Sequence, residues 1–212
     1  LQLQKQNALA EISTMEKERA RIAADLHDDV APVLSVIKYE IDSVNTENSN
    51  DKEMLDKASD QIDMVISRLR EVANDLMPSA LQRKGLMDAI AEFTSNVQTG
   101  CNLRIQVRHQ LTTQLSEEKS LNIYRVIQEI VHNTIKHASA ELLLIRVTEE
   151  KQKIHILCRD NGIGFDHTQR IADSEGIGLR SIRNRIELMN GTMRVESAPD
   201  KGTAYEFTIP IK

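Results

Sequence analysis

The sequence is poor in aromatic residues and cysteine, and it contains no tryptophan. Only 3% of its 212 residues are aromatic, a composition that favours aliphatic helix packing over an aromatic-rich β-sandwich. The two cysteines, Cys101 and Cys158, lie far apart and form no CxxC pair. The sequence therefore predicts neither a zinc site nor a disulfide framework, and it is compatible with a reducing cytoplasm.

Long apolar runs and dense basic runs are also missing from the sequence. The stretch ELLLIRV at 141–147 has the length of a strand, well short of the roughly 20 residues that cross a membrane. A formal net charge of -5 argues against a general nucleic-acid-binding surface. The chain begins at Leu1 without a signal peptide, so we expect a cytoplasmic portion of a longer protein, with any sensor or membrane anchor in parts absent here.

The first half of the chain, to about residue 98, has the period of helices. Apolar residues recur at alternating three- and four-residue steps, interrupted once by Glu40, in a first seam at Ala23, Leu26, Val30, Val33, Ile37 and Val44. After the polar segment NTENSND, a second apolar seam continues at Leu55, Ala58, Ile62, Val65, Leu69, Val72 and Leu76. Asn50 and Glu53 are the predicted capping pair of the second helix, and Pro78 with the preceding Met77 marks its end.

Two helices with one apolar stripe each cannot enclose a core by themselves. They predict an antiparallel hairpin, and two hairpins from two copies of the chain predict a dimeric four-helix bundle. An intramolecular partner for the hairpin is the alternative, although the second half of the sequence does not resemble further bundle helices.

The period changes after Gly100 and predicts an α/β sandwich of about 120 residues. A short amphipathic helix at 86–98 precedes it. The sequence then predicts strands at 103–109, 141–147, 153–160, 192–197 and 203–212, with helices at 120–139 and 178–191.

One polar cluster in this second half lies on the predicted helix QEIVHNTIKHA. Glu129 and Asn133 are four residues apart and share a helix face, with Lys136 and His137 a turn further along. Carboxylate and amide oxygens are ligands that Mg²⁺ prefers, and a lysine can neutralise phosphate. Taken alone, the same spacing also describes an ordinary solvated helix face.

Two glycine-rich loops follow. In CRDNGIGFD, Asp160 closes a strand before Gly162 and Gly164, and its carboxylate can accept a hydrogen bond from the exocyclic amine of adenine. A tight strand-to-strand turn is the alternative reading of this motif. In EGIGLRSIRNRI, Gly176 and Gly178 open a helix, where unpaired amide groups attract anions. The motif is neither a Walker loop nor a dinucleotide-binding fingerprint.

The order of these motifs is more specific than any one of them. QEIVHN, DNGIGFD and GIGLRSI, followed by KGTAYEF, resemble the N, G1 and G2 boxes of the GHKL ATP-binding fold of histidine kinases, gyrase B, Hsp90 and MutL. The resemblance spans residues 100–212 and implies ATP and Mg²⁺ as cofactors. It implies Asn133 and Glu129 as metal-binding residues and a short lid from Phe165 to Glu175. The other implied nucleotide-binding residues are Lys136, His137, Asp160, Gly162, Gly164, Gly176, Gly178, Leu179 and Thr203.

A histidine in the first half indicates the use of the ATP. His27 lies beside Leu26 at the edge of the apolar seam, and the adjacent Asp28 can accept the Nδ1 proton and leave Nε2 as a nucleophile. Taken alone, the His-Asp pair is more typical of a polar residue at a helix boundary, because such pairs are common and unspecific. The pattern ERARIAADLHD with LMPSAL and GL further on resembles the HisKA_3-type dimerisation domain of sensor histidine kinases, the subgroup of the nitrate/nitrite sensor and the desaturase-controlling thermosensor.

This second resemblance covers residues 16–92 and completes the sequence-based prediction. It implies that His27 is phosphorylated, that Asp28 is its general base, and that Arg19 and Arg21 assist. We expect an N-terminal signalling helix at 1–15, a dimerisation and phosphotransfer domain at 16–92, and a GHKL domain at 93–212. The implied partners are a second copy, through residues 16–78, and the receiver domain of a response regulator with a helix-turn-helix output, in a membrane-bound bacterial sensor.

One position departs from the family pattern. The fifth residue after the histidine is commonly a glutamine that positions water for dephosphorylating the regulator, and here it is Pro32. Proline offers no side-chain donor or acceptor, so we expect phosphatase activity to be weak or to work differently. Pro32 also removes a helix hydrogen bond and predicts a bend. A GHKL ATPase clamp and a degenerate dimeric scaffold are the alternative functions.

Overall fold

The computed structural model describes residues 2–165 and 177–212 and divides the chain into two compact units, Leu1–Ser79 and Ala80–Lys212. The first unit is helical. It contains α1 (Gln2–Asp25), a first π turn (Leu26–Val30), α2 (Ala31–Asp42) and α3 (Ser49–Leu76). Because α1 and α2 both pack against α3, the predicted antiparallel hairpin is confirmed.

The predicted residues at the two ends of α3 can be compared with the observed ends. The prediction of Met77 and Pro78 as the end is confirmed, because Met77 is already extended at φ -139°. The predicted capping pair at the start is wrong by two residues. Asn48 is the N-cap, since its backbone is extended and its side-chain oxygen accepts a hydrogen bond from the Asn50 amide at 3.0 Å. Asn50 already lies inside the first turn, where its own amide needs a partner.

Pro32 changes the hydrogen-bond register of the preceding turn. A proline in a helix lacks an N–H and its ring crowds the carbonyl four residues earlier, here that of Asp28. The chain accommodates this with a π turn over Leu26–Val30, in which the Ala31 amide donates to the carbonyl of Leu26, five residues back. The predicted local distortion therefore takes the form of one wide helical turn that contains His27 and Asp28.

Much of the apolar surface of the hairpin is not used within the hairpin. Ala23 and Ile66 are buried, but Val33 is 57% exposed and Val65 48% exposed. Val30, Ile37 and Val72 are also exposed. A single chain thus leaves a stripe of large apolar side chains in water along both predicted seams, an arrangement typical of a surface that meets another protein.

The second unit is a two-layer α/β sandwich, as predicted. Its helices are α4 (Ser79–Lys84), α5 (Leu86–Thr99), α6 (Glu117–Asn133) with a second π turn (Thr134–Ala138), and α7 (Ile177–Leu188). Its strands are β1 (Arg104–Gln110), β2 (Leu142–Glu150), β3 (Lys153–Asp160), β4 (Thr192–Ser197) and β5 (Thr203–Pro210). The short α4, between Pro78 and Gly85, is not predicted because one and a half turns show no clear period.

The sheet has the strand order β1-β2-β3-β5-β4. β1 and β2 are parallel, and the remaining neighbours are antiparallel. Along β2 and β3, buried residues alternate with partly or fully exposed ones, so only one face of the sheet enters the core. α5, α6 and α7 supply the other side of that core, including Ile90, Ile127 and Ile182.

The division by packing falls between residues 79 and 80. Our domain limit at 92 lies inside α5, whose Leu86, Ile90 and Phe93 are buried in the second core. Packing and functional limits need not coincide, and the functional limits stay a prediction. Within the described residues, no helix combines the length and apolarity needed to cross a membrane.

Candidate functional site

Asp160 is the centre of the first group of predicted nucleotide-binding residues. It ends β3 and is only 4% exposed. Its Oδ1 accepts hydrogen bonds from the backbone amides of Gly162 at 2.8 Å and Thr203 at 3.2 Å. These two bonds fix the carboxylate and leave Oδ2 without a hydrogen-bond donor from the described part of the chain. A fixed carboxylate oxygen of this kind is suited to accept a hydrogen bond from an amino group.

The loop after Asp160 is packed against neighbouring backbone at its glycines. A Cβ atom on Gly162 would overlap the carbonyl oxygen of Ala138, which also accepts a 2.8 Å hydrogen bond from the Ile163 amide. Gly164 has φ +59°, and a Cβ there would overlap the carbonyl oxygen of Ala198. The loop thus follows a path that side chains at these two positions would block.

Sequence reasoning missed two residues of this group. Gly202 has φ +71°, and a Cβ there would overlap the carbonyl oxygen of Asp160. Ser197 shares a 3.0 Å hydrogen bond with the Thr203 hydroxyl and accepts one from the Phe165 amide at 2.9 Å. The DKG turn before β5 was a usable signal for Gly202, whereas Ser197 is revealed only by strand pairing.

Glu129 and Asn133 form the second group together with Gly178. The α6 helix is capped by Ser116, whose hydroxyl accepts a hydrogen bond from the Lys119 amide at 3.3 Å. At the other end of α6, the Asn133 side-chain amide donates to Glu129 Oε1 at 3.2 Å. This bond leaves the Asn133 carbonyl oxygen and the second Glu129 oxygen as candidate ligands.

Gly178 brings the first turn of α7 against this polar pair. A Cβ on Gly178 would overlap Glu129 Oε1 and would lie 3.2 Å from Asn133 Nδ2. The absence of a side chain at Gly178 therefore lets the start of α7 lie directly against the Glu129–Asn133 pair. Among the described residues, at this place or any other, no three His, Cys, Asp or Glu side chains are grouped as a metal site. Two protein ligands suit Mg²⁺, which commonly keeps water and phosphate oxygens in its shell.

The remaining predicted residues lie around these two groups. Lys136 and His137 are exposed on the second π turn, directly after Asn133. Thr203 is buried beside Asp160, and Leu179 packs at the margin of the core. Gly176 and the predicted lid after Phe165 lie outside the described residues.

The predicted phosphoacceptor lies in the first unit, inside the first π turn. His27 Nδ1 is 3.0 Å from Asp28 Oδ1, and the two side chains are 81% and 74% exposed. Arg21 pairs with Asp25 at 2.7 Å and with Glu18 at 2.5 Å, and Arg19 pairs with Glu16 at 3.4 Å. Among residues 2–165 and 177–212, neither arginine forms an ion pair with the imidazole, and Asp28 is the charged side chain that contacts His27 in the wide turn.

Substitution of Gly178 by alanine is expected to weaken binding of Mg²⁺-ATP about tenfold, roughly 1.4 kcal/mol. The new methyl group must displace the Glu129 carboxylate or shift the start of α7. Isothermal titration with Mg²⁺-ATP measures the change. Gly100→Ala is the matched control, because a Cβ there meets nothing closer than 3.8 Å. Equal affinities for Gly178→Ala and the unchanged chain would contradict a role of the Gly178 contact with Glu129 in nucleotide binding.

Two families match this chain, one for each type of site. Residues 118–212 match the family described as "Histidine kinase-, DNA gyrase B-, and HSP90-like ATPase". This match includes every residue of the two polar groups described above. Residues 18–81 match the HisKA_3 family, described as "Histidine kinase", and include His27. The second unit thus contains an ATPase domain of this class, and the chain, with both domains, belongs to the sensor histidine kinases of the HisKA_3 subgroup.

Relatives with curated descriptions share both regions. The chain is 31% identical over 205 residues to the sensor histidine kinase ComP of Bacillus subtilis, covering 92% of this chain and 27% of that protein. It is 28% identical to the oxygen sensor histidine kinase NreB of Staphylococcus carnosus, covering 94% of this chain and 58% of that protein. The signal transduction histidine-protein kinase/phosphatase DegS of Brevibacillus brevis is 27% identical, with 94% and 53% covered. The chain therefore spans less than two thirds of each of these relatives.

Solved structures support the same fold. The histidine kinase domain of the blue-light activated kinase from Erythrobacter litoralis superposes with a TM-score of 0.57 at 16% identity. That alignment covers 86% of this chain and 94% of the other. A second structure of the same kinase gives a TM-score of 0.55 at 15% identity, covering 78% and 64%. The predicted α plus α/β architecture is confirmed.

Proposed function

We propose that this chain is the catalytic core of an ATP-dependent autokinase that phosphorylates His27. The observation that carries the proposal is the exposed His27–Asp28 pair, at 3.0 Å, in the same chain as an ATPase domain of the histidine kinase class. A nucleotide site alone fits an ATPase clamp, and a histidine alone fits a helix boundary. The combination favours phosphoryl transfer to histidine.

The chemistry proposed for His27 follows from its contact with Asp28. Asp28 accepts the Nδ1 hydrogen and keeps the lone pair on Nε2, which faces solvent and acts as the nucleophile. A bond forms between Nε2 and the γ-phosphorus while the bond from that phosphorus to the bridging oxygen breaks, and ADP leaves. The positive charge that develops on the ring is stabilised by the Asp28 carboxylate. In-line positioning supplies most of the catalysis in such transfers.

The roles proposed for the ATP-binding residues follow the two polar groups. Asp160 Oδ2 accepts from the adenine amine, and the glycines of its loop allow the base to approach the backbone. Asn133 and Glu129 supply oxygens for Mg²⁺. Lys136 and His137 follow Asn133 at the same end of the helix, and we propose that they lie near the phosphates. The metal neutralises phosphate charge when it is bound.

The phosphoryl group on His27 is proposed to pass to an aspartate in the receiver domain of a response regulator. The names of the relatives ComP, NreB and DegS, all histidine kinases, support a two-component partner, and we propose that it carries a helix-turn-helix output. A phosphoramidate is a reactive donor, so transfer to a carboxylate is chemically favourable. We propose a cytoplasmic position for this portion, in a membrane-bound bacterial sensor.

The chain is proposed to act as a homodimer through residues 16–78. The support is the exposed apolar stripe that includes Val33 and Val65, since covering such a stripe with its copy completes a four-helix bundle. Val65→Asp is expected to shift the chain from dimer to monomer by at least tenfold in dissociation constant, because a carboxylate would be buried in the apolar seam.

The oligomeric state of Val65→Asp is measured by light scattering after size exclusion over a range of concentrations. Ser67→Asp is the control, since Ser67 is exposed on α3 and, two residues after Val65, lies on the opposite side of the helix from the predicted seam. A Val65→Asp chain that stays as dimeric as the control would show that the bundle is built on another face.

Phosphatase activity toward the regulator is proposed to be weak, because Pro32 has no group that positions water. With ADP removed, the chain is expected to leave the hydrolysis rate of the phosphorylated regulator within about twofold of its own rate, whereas a competent water-positioning group contributes about 100-fold or more. The name of DegS includes a phosphatase, so the activity occurs among relatives. Rapid dephosphorylation that is lost on changing Asp28 or Pro32, and that is not reverse transfer, would contradict this expectation.

Incubation with γ-labelled ATP tests the proposed function directly. A kinase incorporates label that is labile to acid and stable to alkali. ATP hydrolysis without label on the protein would instead support a clamp ATPase, and failure to bind nucleotide would support a degenerate scaffold.

A further inference from the structure

The face of the sheet turned away from the helices carries an unusual concentration of arginines. Because side chains alternate along a strand, the exposed positions of β1, β2 and β3 share this open face. Six of its residues are called here the arginine face: Arg104, Arg108, Arg146, Arg159, Leu144 and Leu157. All four arginines are exposed, and both leucines are half-buried.

Strand register places these side chains next to one another. Arg108 is the direct partner of Arg146 across β1 and β2. Leu157 faces Arg146, and Arg159 faces Leu144, across β2 and β3. Neighbouring strands lie about 4.8 Å apart, so the arginines surround the two leucines within one compact area.

Like charges at directly opposed positions destabilise a sheet, and the chain does not compensate them. In residues 2–165 and 177–212, none of the four arginine side chains forms an ion pair, a ring contact or a side-chain hydrogen bond. The other side of the same open face is different. There, Arg194 pairs with Glu196 at 2.5 Å, and Glu206 lies between Arg194 and Leu157 in register.

We propose that the arginine face binds an acidic segment of a partner protein, a function separate from autophosphorylation. Uncompensated arginines fit carboxylates through paired hydrogen bonds, and the two leucines offer an apolar contact between them. Protein interfaces are enriched in arginine and depleted in lysine, and four of the five Lys and Arg residues at open-face positions of β1, β2 and β3 are arginine, with Lys153 as the fifth. No Phe, Tyr or Trp occupies an open-face position of these three strands for base stacking or membrane insertion, which disfavours a nucleic acid or a lipid surface.

Binding of a fluorescent synthetic peptide rich in Glu and Leu tests the proposal, measured by anisotropy over a salt series. The unchanged chain is expected to bind the peptide and not the same peptide with Gln in place of Glu. Arg146→Gln with Arg159→Gln is expected to weaken binding at least tenfold. The matched control, Lys153→Gln with Arg194→Gln, removes the same charge from the open face outside the arginine face and is expected to change binding less than about twofold.

Three results would overturn the proposal. If the two double variants bound the peptide with equal affinity, the overall positive charge of the open face, and not the arginine face, would attract the peptide. Equal binding of the Glu and Gln peptides would exclude recognition of carboxylates. Binding to phosphatidylglycerol vesicles or to a single-stranded oligonucleotide, without binding to the Glu peptide, would assign the face to a different class of partner.

Thermal unfolding separates binding from a structural role of the arginines. Removing one member of the opposed pair, by Arg146→Thr, relieves like-charge repulsion and places a residue with high strand preference on β2. The melting temperature is therefore expected to be unchanged or higher while peptide binding falls. A melting temperature that falls by several degrees, with peptide binding unchanged, would show that Arg146 serves the fold.

Discussion

Asp160→Asn is expected to weaken ATP binding by about 10- to 100-fold while leaving the fold intact. Asparagine keeps an oxygen for the Gly162 and Thr203 amides, which donate to Asp160 Oδ1 at 2.8 and 3.2 Å. It replaces the other carboxylate oxygen with an amide NH2 group. Two hydrogen-bond donors, this group and the adenine amine, would then face each other. Loss of a charge-assisted hydrogen bond costs about 1.5–3 kcal/mol, and an unpaired donor adds to that cost.

The affinity of Asp160→Asn is measured by titration with Mg²⁺-ATP, and circular dichroism checks the fold. Asp200→Asn makes the same change of charge on the neighbouring turn. Asp200 is exposed and has φ +61°, a conformation that asparagine also adopts, so this variant is expected to bind normally. If Asp160→Asn bound ATP as tightly as Asp200→Asn, Asp160 would not be the adenine-binding carboxylate.

His27→Gln is expected to abolish incorporation of label from γ-labelled ATP while ATP affinity stays unchanged. Glutamine keeps a polar side chain of similar length, but its amide nitrogen has no lone pair available for attack at phosphorus. Since His27 is 81% exposed, the substitution removes little packing, and the effect on stability is expected to be small. His109→Gln is the control, because His109 is exposed on β1 and lies outside both polar groups.

Label that persists on His27→Gln would place the phosphoacceptor elsewhere in the chain. Loss of label together with loss of ATP binding would instead indicate a disturbed fold. The paired measurements of label and affinity on one preparation therefore distinguish the missing nucleophile from a general defect.

The spacing of apolar residues in the sequence predicts most helices and strands, because each of these elements buries one apolar face. The second seam predicts α3 to within its capping residue, and alternation along KIHILCRD predicts β3 with its two faces. The π turn at Leu26–Val30 was not predicted in form, although Pro32 predicts a distortion there. Because Pro32 has no N–H and its ring crowds the preceding turn, the sequence predicts that a regular helix hydrogen bond is lost there. Which carbonyl the neighbouring amide binds instead depends on the packing of the whole hairpin.

Within the candidate site, too, the sequence predicts some contacts and leaves others unpredicted. The four-residue spacing of Glu129 and Asn133 predicts that they are neighbours, because i and i+4 meet on a helix. Their contact with Gly178 depends on how α7 packs against α6, which lies beyond local sequence. Ser197 joins Thr203 only through the pairing of β4 with β5. Local spacing thus predicts the members of each motif, and tertiary packing determines which motifs meet.

The exposure of the apolar stripe on the hairpin links the fold to the proposed dimer. The predicted seams assume that Val33 and Val65 are covered, and the single chain leaves them in water. Alternation of three- and four-residue steps indicates a buried stripe but does not say which chain covers it. The dimer therefore stays a proposal that the Val65→Asp measurement tests.

Mapping the phosphoryl group is the most direct test of the central claim that His27 is the phosphoacceptor. After reaction with ATP and Mg²⁺, the chain is digested at alkaline pH and its peptides are analysed by mass spectrometry. We expect a phosphoryl group on His27, and on none of the other histidines among the six in the sequence. A phosphoryl group on another residue, or ATP hydrolysis with no phosphorylated peptide, would contradict it.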